Sequence, residues 1–427
     1  MTVHVDDHSV RGAAAMKPVA TGSAGGQDTA SGLPTHDVYP SYEAAADLQV
    51  QWDAFVESVG GDLFATYDWG RVWWKHYGDG RRLELHVFGA KNEIVGIVPL
   101  FRERLRIGPV SARVVRLVGC DHSVTTTSLA VAREHARVVM AGLVAKVTSE
   151  KPWDLLHLGP LGGYLEDSGE ITEAIARCDG LGEIKHEIAS TPHIVFDLPT
   201  SYDEYLKKLS ADERSNVRRR ERRFFSDQAG NLVAVAASDL EENFPRFVTQ
   251  HQAQWQAQGQ QGHFADWPQS QPFHREMSAA QAKHGRLMLL RLDAGDRIVG
   301  YQYSIGFGRR AHWIIGSRDL DRQWDFYSPG RMLLCMSLRN AIERGCTQLD
   351  AMRGMYDYKL KLAGRITHST SIWAVRRGSS SRRRTAFLRA AARMLHLGYY
   401  RIWFNRVSPH VPRLRGPLWK TWIRSRI

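Results

Sequence analysis

The chain has 427 residues, of which 43% are hydrophobic and 24% are charged, values typical of a soluble globular protein large enough for two domains. It contains no run of about 18 consecutive apolar residues and no apolar signal-peptide segment, so neither a membrane span nor secretion is expected. The formal net charge is +12, but residues 376–427 contain 14 Lys and Arg and no Asp or Glu. The rest of the chain is therefore near neutral, which argues against a basic groove across the fold.

The cysteines do not have the spacing of a metal site or of a disulfide framework. They are Cys120, Cys178, Cys335 and Cys346. This pattern predicts a protein of the reducing cytoplasm that needs no metal.

Residues 1–38 are rich in Gly, Ala, Ser and Thr, and we predict that they are disordered. A first globular unit is predicted over residues 39–195. Its apolar runs Leu83–Phe88 and Ile94–Leu100 flank a turn and predict a β-hairpin. The next predicted elements are a strand over Arg113–Val118, a helix over His135–Ser149 and a strand over Trp153–Leu158.

A second unit is predicted over residues 196–377. Its predicted helices cover Tyr202–Leu209, Asp212–Phe225, Leu240–Ala257 and Arg331–Arg344, and a short helix follows residue 352. Its predicted strands cover Arg286–Asp293, Arg297–Gly306, Ala311–Ser317, Thr347–Met352 and Ser369–Val375. This order predicts an α/β (α+β) fold.

The segment "SPGRM", which opens the helix after residue 328, has the residues of an anion site. Ser328 can cap the helix, Gly330 lets a ligand approach the backbone, and Arg331 adds charge to the free amides up to Met332. On this segment alone, an ordinary capped helix is the simpler interpretation. The segment "GFGRRA" (306–311) fits a loose dinucleotide fingerprint, but it joins two strands, so we interpret it as a hairpin turn.

The run "RSNVRRRERR" (214–223) is strongly basic. It is typical of a solvated helix face, and an anionic substrate or cofactor is the alternative partner. From charge alone, the solvated face is favoured.

Taken in order, these segments resemble the acetyltransferase domain of the CelD/BioF2-like proteins of the GNAT superfamily, which are similar to the FemAB peptidyltransferases. The ordered set is "RSNVRRR", His251 with Trp255, "IVGYQYSIGFGRRAHW", "SPG", "GCTQLDAMRG" and Tyr358 with Lys359. The first unit resembles the same family through "DWGRVWWKHYG" (68–78) and "IVGIVPLFRE" (94–103). The resemblance covers about residues 39–375.

The resemblance implies tandem GNAT-like units around a shared cleft. It also implies an acyltransferase that moves an acyl group, most simply acetyl, from acyl-CoA to a sugar, amino-sugar or peptidoglycan-type acceptor of the cell envelope. The pyrophosphate loop usual in the superfamily is reduced to Ser328-Pro329-Gly330, and "CDHSVTTT" after Gly119 replaces a usual Asp-Tyr pair. Two alternatives therefore stay open. One is an aminoacyl-tRNA-dependent FemAB-like transferase, for which tRNA would be a partner, and the other is a non-catalytic adaptor of polysaccharide machinery at the membrane.

Direct acyl transfer needs a base, an oxyanion donor and an acid, and it needs no covalent cysteine. We expect Asp350 to be the base or to orient the acceptor, with a cap or a salt bridge to Arg353 as the structural alternative. Tyr356 or Tyr358 is the expected acid, because a phenol has a pKa near that of a thiol. Lys359 is the expected cation for the oxyanion or for an anionic acceptor, because Tyr358 and Lys359 match the Tyr-Lys pair of the family. The alternative is that Lys359 is a solvated residue of a helix. The expected substrate-binding residues are Arg218, His251, Trp255 and Arg353.

The basic C-terminal segment 378–427 mixes arginine with apolar residues at helical spacing. We predict an amphipathic segment that contacts an anionic membrane surface, so the protein is expected to be cytoplasmic and peripheral on the inner face. A solvated, disordered tail and a nucleic-acid contact are the alternatives.

Overall fold

The computed structural model describes residues 34–122, 126–149, 152–162, 168–178, 181–189, 192–260, 262–265, 269–411 and 418–426. Most of the predicted disordered segment, residues 1–33, lies outside them. The chain is regular from Thr35, because strand β1 (Thr35–Tyr39) pairs antiparallel with β2 (Arg82–Ala90). The first unit therefore begins before the predicted residue 39.

The remaining described strands form two mixed sheets with β1 and β2. They are β3 (Glu93–Ile107), β4 (Val110–Leu117), β5 (Ala130–Val131), β6 (Leu155–Leu161), β7 (Leu181–Ile188), β8 (His193–Asp197), β9 (Gly230–Ala234), β10 (Leu287–Ala294), β11 (Arg297–Phe307), β12 (Arg310–Arg318), β13 (Gln348–Arg353), β14 (Arg365–Thr367) and β15 (Thr370–Arg376). The first sheet has the order β1-β2-β3-β4-β6-β15-β7, with β5 beside β3, and the second has the order β14-β8-β13-β12-β11-β10-β9.

The described helices cover the faces and ends of these sheets. They are α1 (Gln49–Ser58), α2 (Tyr67–Tyr77), α3 (Ala136–Ser149), α4 (Ser168–Ala176), α5 (Tyr202–Lys207), α6 (Ala211–Asp227), α7 (Leu240–Gln256), α8 (Ser270–Lys283), α9 (Pro329–Glu343), α10 (Asp357–Lys361), α11 (Ser379–Met394) and α12 (Leu418–Arg424), with a π-helix over Leu395–Val407 between the last two. None of the helices in the described ranges is long and apolar enough to cross a membrane.

The two sheets repeat one plan, which confirms the predicted tandem α/β fold. In each, three antiparallel strands (β2-β3-β4 and β10-β11-β12) are followed by a helix (α3 and α9) and by a parallel strand (β6 and β13). The parallel pairs are β4 with β6 and β12 with β13. A helical crossover is the connection that parallel neighbours require.

The two units exchange one strand each. β8 lies between β13 and β14 in the second sheet, and β15 lies at the equivalent place, between β6 and β7, in the first sheet. The predicted boundary between residues 195 and 196 therefore falls inside β8, and residues 370–376 belong to the first sheet. The composition of a strand does not show which sheet it joins, because pairing is long-range.

One hydrophobic core contains residues of both units. Trp69 and Trp73 from α2 belong to it together with Phe247 from α7, Phe273 from α8 and Tyr303 from β11. Burial of aromatic side chains is a large stabilising contribution, so the two sheets are joined by packing as well as by strand exchange.

The C-terminal segment is helical and packs on the first sheet. Leu388 of α11 is buried with Trp373, and Ser381 Oγ donates to Asp154 Oδ1 at 2.8 Å. Near α12, the guanidinium of Arg116 donates to the carbonyl oxygens of Arg424 and Arg426, at 2.9 and 2.7 Å. These contacts replace the alternative of a solvated, disordered tail.

Candidate active site

A cavity of about 620 Å³ lies where β12 and β13 diverge. The two strands pair only over Arg310–His312 and Gln348–Asp350, after which both continue along the cavity walls. All described residues of the lining lie between 220 and 359. The cavity therefore belongs to the second unit. The prediction of a cleft between the two units is wrong for this cavity.

The divergence has a local cause in β13. Asp350 Oδ1 accepts a hydrogen bond from the amide of Met352 at 2.7 Å, and Met352 has a φ of +58°. This left-handed residue breaks the register with β8 between Asp350 and Arg353. The strand end is thus bent away from β12, which leaves room for a ligand between them.

The N-terminus of α9 forms one wall, but with different contacts from those predicted. Ser328 is left-handed (φ +52°) and makes no side-chain cap; its Oγ accepts from Arg220 Nη1 and donates to the carbonyl of Asp325, both at 3.1 Å. The carbonyl of Ser328 accepts the amides of Arg331 and Met332 at 3.0 and 3.1 Å. Within the described ranges, only the Gly330 amide of the predicted set has no protein acceptor.

Gly330 leaves open space above this wall. A Cβ built on it would meet only Arg318 Cδ, at 3.8 Å. The protein's own packing therefore does not require glycine here. A ligand that approaches the backbone would require it.

The described lining carries five cations and no Asp or Glu: Arg220, Arg318, Arg331, Arg353 and Lys359. Arg331 forms an ion pair with Glu213, whereas Arg318 has no carboxylate partner in the described part of the chain. Burial and the neighbouring Arg331 lower the pKa of Arg220. A cluster of partly buried like charges is unfavourable without an anion, so the cavity is suited to an anionic ligand.

Lys359 is 1% exposed, although it lies on the short helix α10. Its Nζ donates to the carbonyl of Ala351 at 2.8 Å and lies 5.0 Å from the ring centre of Trp313. Burial lowers the pKa of Lys359 to about 8, although Asp350 opposes the shift. The amine is therefore still mostly protonated at pH 7, and the solvated alternative for Lys359 is wrong.

Tyr356 and Tyr358 stack on each other beside Lys359, with ring centres 5.9 Å apart. Tyr356 is exposed, whereas burial raises the pKa of Tyr358 to about 12. The phenol of Tyr358 is thus protonated at any physiological pH. Arg353 lies on the same side, and burial together with Arg426 lowers its pKa to about 9.

Asp350 lies behind the cavity wall and does not line it. Its carboxylate faces His193 Nδ1 at 3.1 Å in addition to the Met352 amide. Burial alone would raise the pKa of Asp350, but His193 and His312 outweigh it and the pKa is lowered. A buried carboxylate with these partners is a poor base, and because it does not line the cavity it does not touch an acceptor there. Its observed contact is the cap of the Met352 amide.

His251 and Trp255 line the opposite wall. His251 Nδ1 lies 2.8 Å from the carbonyl of Gly316, so Nδ1 carries the proton, and Nε2 accepts the amide of His263 at 3.1 Å. Burial lowers the pKa of His251 to about 3. The ring is neutral and fully bonded, so it fixes β12 against α7.

Residues 211–360 match the family described as "Acetyltransferase (GNAT) domain". This segment, called the GNAT domain below, is therefore similar to GNAT acetyltransferase domains. The cavity, with all of its described lining between residues 220 and 359, lies within the limits of the GNAT domain. No curated protein matches the chain at a significant level.

The solved structure of FemX shows the same fold over most of the chain. FemX superposes with a TM-score of 0.55 at 12% identity, covering 76% of this chain and 95% of FemX. A conserved protein of unknown function from Bacteroides thetaiotaomicron has a TM-score of 0.48 at 8% identity, with 79% of this chain and 98% of that chain covered. L-PGS from Bacillus licheniformis has a TM-score of 0.44 at 11% identity, with 81% and 96% covered. At this identity, the likeness to FemX establishes the fold.

Besides Asp350, the side chains of two other predicted site residues do not reach the cavity of the GNAT domain. Arg218 points to solvent on α6, where it pairs with Asp203 at 3.3 Å. One helical turn contains both Arg218 and Arg220, and only Arg220 faces α9. The side chain of Met332 is buried in the core beside Phe224, so only its amide lies at the helix start.

Sequence reasoning missed several groups that line the GNAT cavity. The indole Nε1 of Trp313 and the Oε1 of Gln302 are buried and have no hydrogen-bond partner within the described ranges. The same holds for the Nε1 of Trp255, a residue that was predicted. Unpaired buried polar atoms are unfavourable, so they are available to a ligand. Gln302 and Trp313 lie in quoted strands, but strand alternation alone does not show which face meets the cavity.

The described residues contain no group of three or more His, Cys, Asp or Glu side chains that is placed to hold a metal ion. The described lining of the cavity offers cations, amides, phenols, indoles and imidazoles around an open space.

Proposed function

We propose that the GNAT domain transfers an acyl group, with acetyl as the simplest case, from acyl-CoA to an amine or hydroxyl of a sugar, amino-sugar or peptidoglycan-type acceptor. The observation that carries this proposal is the cavity of about 620 Å³, whose described lining has five cations and no carboxylate, inside the GNAT domain. The acceptor class is supported by the sequence resemblance to envelope-directed transferases.

The residues of the α9 wall fit the phosphate groups of a CoA-type donor. Arg220 and Arg318 supply charges without carboxylate partners, and the Gly330 amide supplies a donor at a helix N-terminus, the usual place for a bound phosphate. The open space above Gly330 allows the close backbone approach that this contact needs.

The donor supplies a thioester carbonyl, and the residues beyond Ala351 supply the polar groups around it. Lys359 holds a proton at Nζ in a dry environment, where a positive charge stabilises developing negative charge strongly. Tyr358 keeps its phenolic proton at neutral pH and can donate a hydrogen bond to a leaving thiolate. Because its pKa is raised to about 12, it is a weaker acid than the sequence predicted. Asp350 positions this strand end through the Met352 amide.

The direct test is release of free thiol from acetyl-CoA in the presence of amino-sugar and peptidoglycan-precursor acceptors. We expect turnover by the intact chain, and at least a tenfold rise in the donor dissociation constant for Arg220→Gln with Arg318→Gln, about 1.4 kcal/mol. Arg218→Gln on the same helix is the control, because Arg218 is exposed and pairs with Asp203. Binding of aminoacyl-tRNA instead of acyl-CoA would support the FemAB-like alternative, and binding of neither would support the adaptor.

A further inference from the structure

The segment from α11 to the end of the π-helix presents apolar side chains to solvent. Met394 is 74% exposed, Ile402 is 55%, Leu397 is 54% and Phe387 is 48%. Phe387 and Met394 are seven residues apart, which places them on one face of α11. Exposed apolar residues that cluster in this way mark an interaction surface.

Exposed arginines lie in the same segment as these apolar side chains. Arg383, Arg393, Arg401 and Arg406 are exposed in the same segment, and residues 376–427 contain no Asp or Glu. The surface therefore combines apolar area with uncompensated positive charge. The "apolar-basic face" below means Phe387, Met394, Leu397 and Ile402 with the four exposed arginines just named.

The opposite side of α11 is fixed to the protein. Leu388 is buried against the first sheet, Arg389 Nη2 donates to Glu187 Oε2 at 2.6 Å, and its guanidinium lies 4.3 Å from the ring centre of Trp373. The helix is thus anchored by one side while its apolar-basic face points outward. Because this face is already ordered, binding does not require the entropy loss of folding a tail.

We propose that the apolar-basic face docks on the surface of an anionic lipid bilayer, with the helix lying in the interface plane. Apolar side chains enter the boundary of the acyl chains, and arginines bind the lipid phosphates, which is the composition of an interfacial helix. This inference is independent of the acyl-transfer proposal, since the apolar-basic face lies outside the GNAT domain.

The composition of the face favours a bilayer over two other partners. A second copy of the same face would bring arginine against arginine with no acid on either side, which is repulsive. A nucleic acid would be held by stacking of its bases on aromatic rings, but Met394, Leu397 and Ile402 are aliphatic. Lipid chains accept aliphatic side chains, and anionic headgroups accept the arginines.

The test is co-sedimentation of the full chain with vesicles of phosphatidylcholine, with and without phosphatidylglycerol. We expect pelleting with the anionic vesicles only, and weaker pelleting at high salt. Two variants divide the face: Met394→Ser with Leu397→Ser and Ile402→Ser, and Arg393→Gln with Arg401→Gln and Arg406→Gln. Each should lower the partition coefficient at least about tenfold, with an unchanged melting temperature, because all six side chains are exposed.

The control variant is Val50→Ser with Ile188→Ser, which removes exposed apolar side chains on α1 and β7, outside the face. It should pellet like the natural chain. Equal pelleting of all variants, or no pelleting with anionic vesicles, would overturn the proposal. So would displacement from the vesicles by a single-stranded RNA, or a dimer that dissociates in the serine variant, since these results would assign the face to nucleic acid or to a second copy.

Discussion

Lys359 is a buried cation in a cavity whose described lining contains no carboxylate. Its hydrogen bond to the Ala351 carbonyl and its position beside Trp313 hold the ammonium group in place. A buried charge of this kind is rarely retained for stability, because a hydrophobic side chain of the same volume often gives equal or greater stability. Its burial supports the proposal that Lys359 acts in binding or transfer.

Replacement of Lys359 by Met tests that role. We expect turnover to fall at least about tenfold, or roughly 1.4 kcal/mol of barrier, while the melting temperature stays the same or rises, because the desolvated charge is gone. Lys361→Met is the control, since Lys361 is exposed on the same short helix. Full activity of Lys359→Met in a thiol-release assay would exclude the residue from the site.

The depressed pKa of Lys359 also predicts a pH effect on stability. Because burial lowers the pKa from 10.5 to about 8, the unfolded chain binds more protons than the folded one between these values, and stability must rise with pH there. Relative to Lys359→Met, the natural chain should gain up to about 3 kcal/mol of unfolding free energy across that window, and the difference should be constant below pH 8. Urea titrations of both proteins at several pH values measure the difference between their unfolding free energies. A difference that stays constant from pH 7 to pH 10.5 would contradict the shifted pKa.

The residues of the site were only partly predictable. The Tyr358–Lys359 pair was identified through resemblance and lies in the cavity. The cap by Ser328 was wrong, because a left-handed backbone turns that hydroxyl toward Arg220. Arg318 and Trp313 were missed, because neither charge nor hydrophobicity shows which side of a strand meets an open space.

At the scale of single elements, the start of α9 is the wall that a donor phosphate would meet. Its one amide without a protein acceptor within the described ranges belongs to Gly330, so the backbone must stay accessible there. The helix dipole adds to the attraction for an anion.

Replacement of Gly330 by Val should weaken binding of CoA about tenfold or more in titration calorimetry without changing the melting temperature. The physical reason is that the new side chain fills the ligand's space, whereas the protein offers only Arg318 Cδ at 3.8 Å from the new Cβ. Gly169→Val is a matched control, because Gly169 is also the second residue of its helix and has nothing within 4 Å of its Cβ position. Unchanged affinity in Gly330→Val would remove this wall from the donor site.

The exchanged strands make a second prediction at this scale. A fragment of residues 34–192 keeps β1 to β7 but lacks β15, so it exposes the facing edges of β6 and β7. Unpaired strand edges favour aggregation, and we expect the fragment to be aggregated in size-exclusion chromatography. The same fragment with residues 368–377 joined by a flexible linker should elute as a monomer. A monodisperse fragment without this addition would show that the exchange is dispensable.

Most regular elements were predictable from periodicity, and their pairing was not. The strands from β10 to β13 and helices α3, α6, α7 and α9 occur where the sequence predicts them. Helices α2 and α8 were missed: α2 is dense in aromatic residues, and α8 carries Pro272 in its first turn. The sheet that β8 or β15 joins depends on contacts between distant parts of the chain, and local sequence patterns do not contain this information.

At the scale of the molecule, the two units share a core, two exchanged strands and a buried ion pair. The Nε2 atom of His312, on β12, lies 2.6 Å from Oδ1 of Asp62, and both side chains are buried. Burial would lower the pKa of His312, but Asp62 outweighs it and the pKa is raised. The two units should therefore unfold together.

Calorimetry should show one transition for the full chain. Asp62→Asn should lower the unfolding free energy by about 3 kcal/mol, because it leaves a buried imidazole without its carboxylate, and the loss should be largest below pH 6.5, where the pair is fully charged. The control is Asp203→Asn, which breaks an exposed pair with Arg218 and should change the unfolding free energy by less than about 1 kcal/mol. Two separate transitions in the natural chain would show that the units are independent.

The central claim is that the cavity between β12 and β13 binds an acyl-CoA donor by its phosphates. A crystal structure of the full chain grown with CoA tests it most directly. The prediction is that the diphosphate lies against the Gly330 amide with Arg220 and Arg318 beside it, and that the thiol end points toward Lys359 and Tyr358. CoA bound elsewhere on the protein, or a cavity that stays empty at saturating CoA, would contradict it.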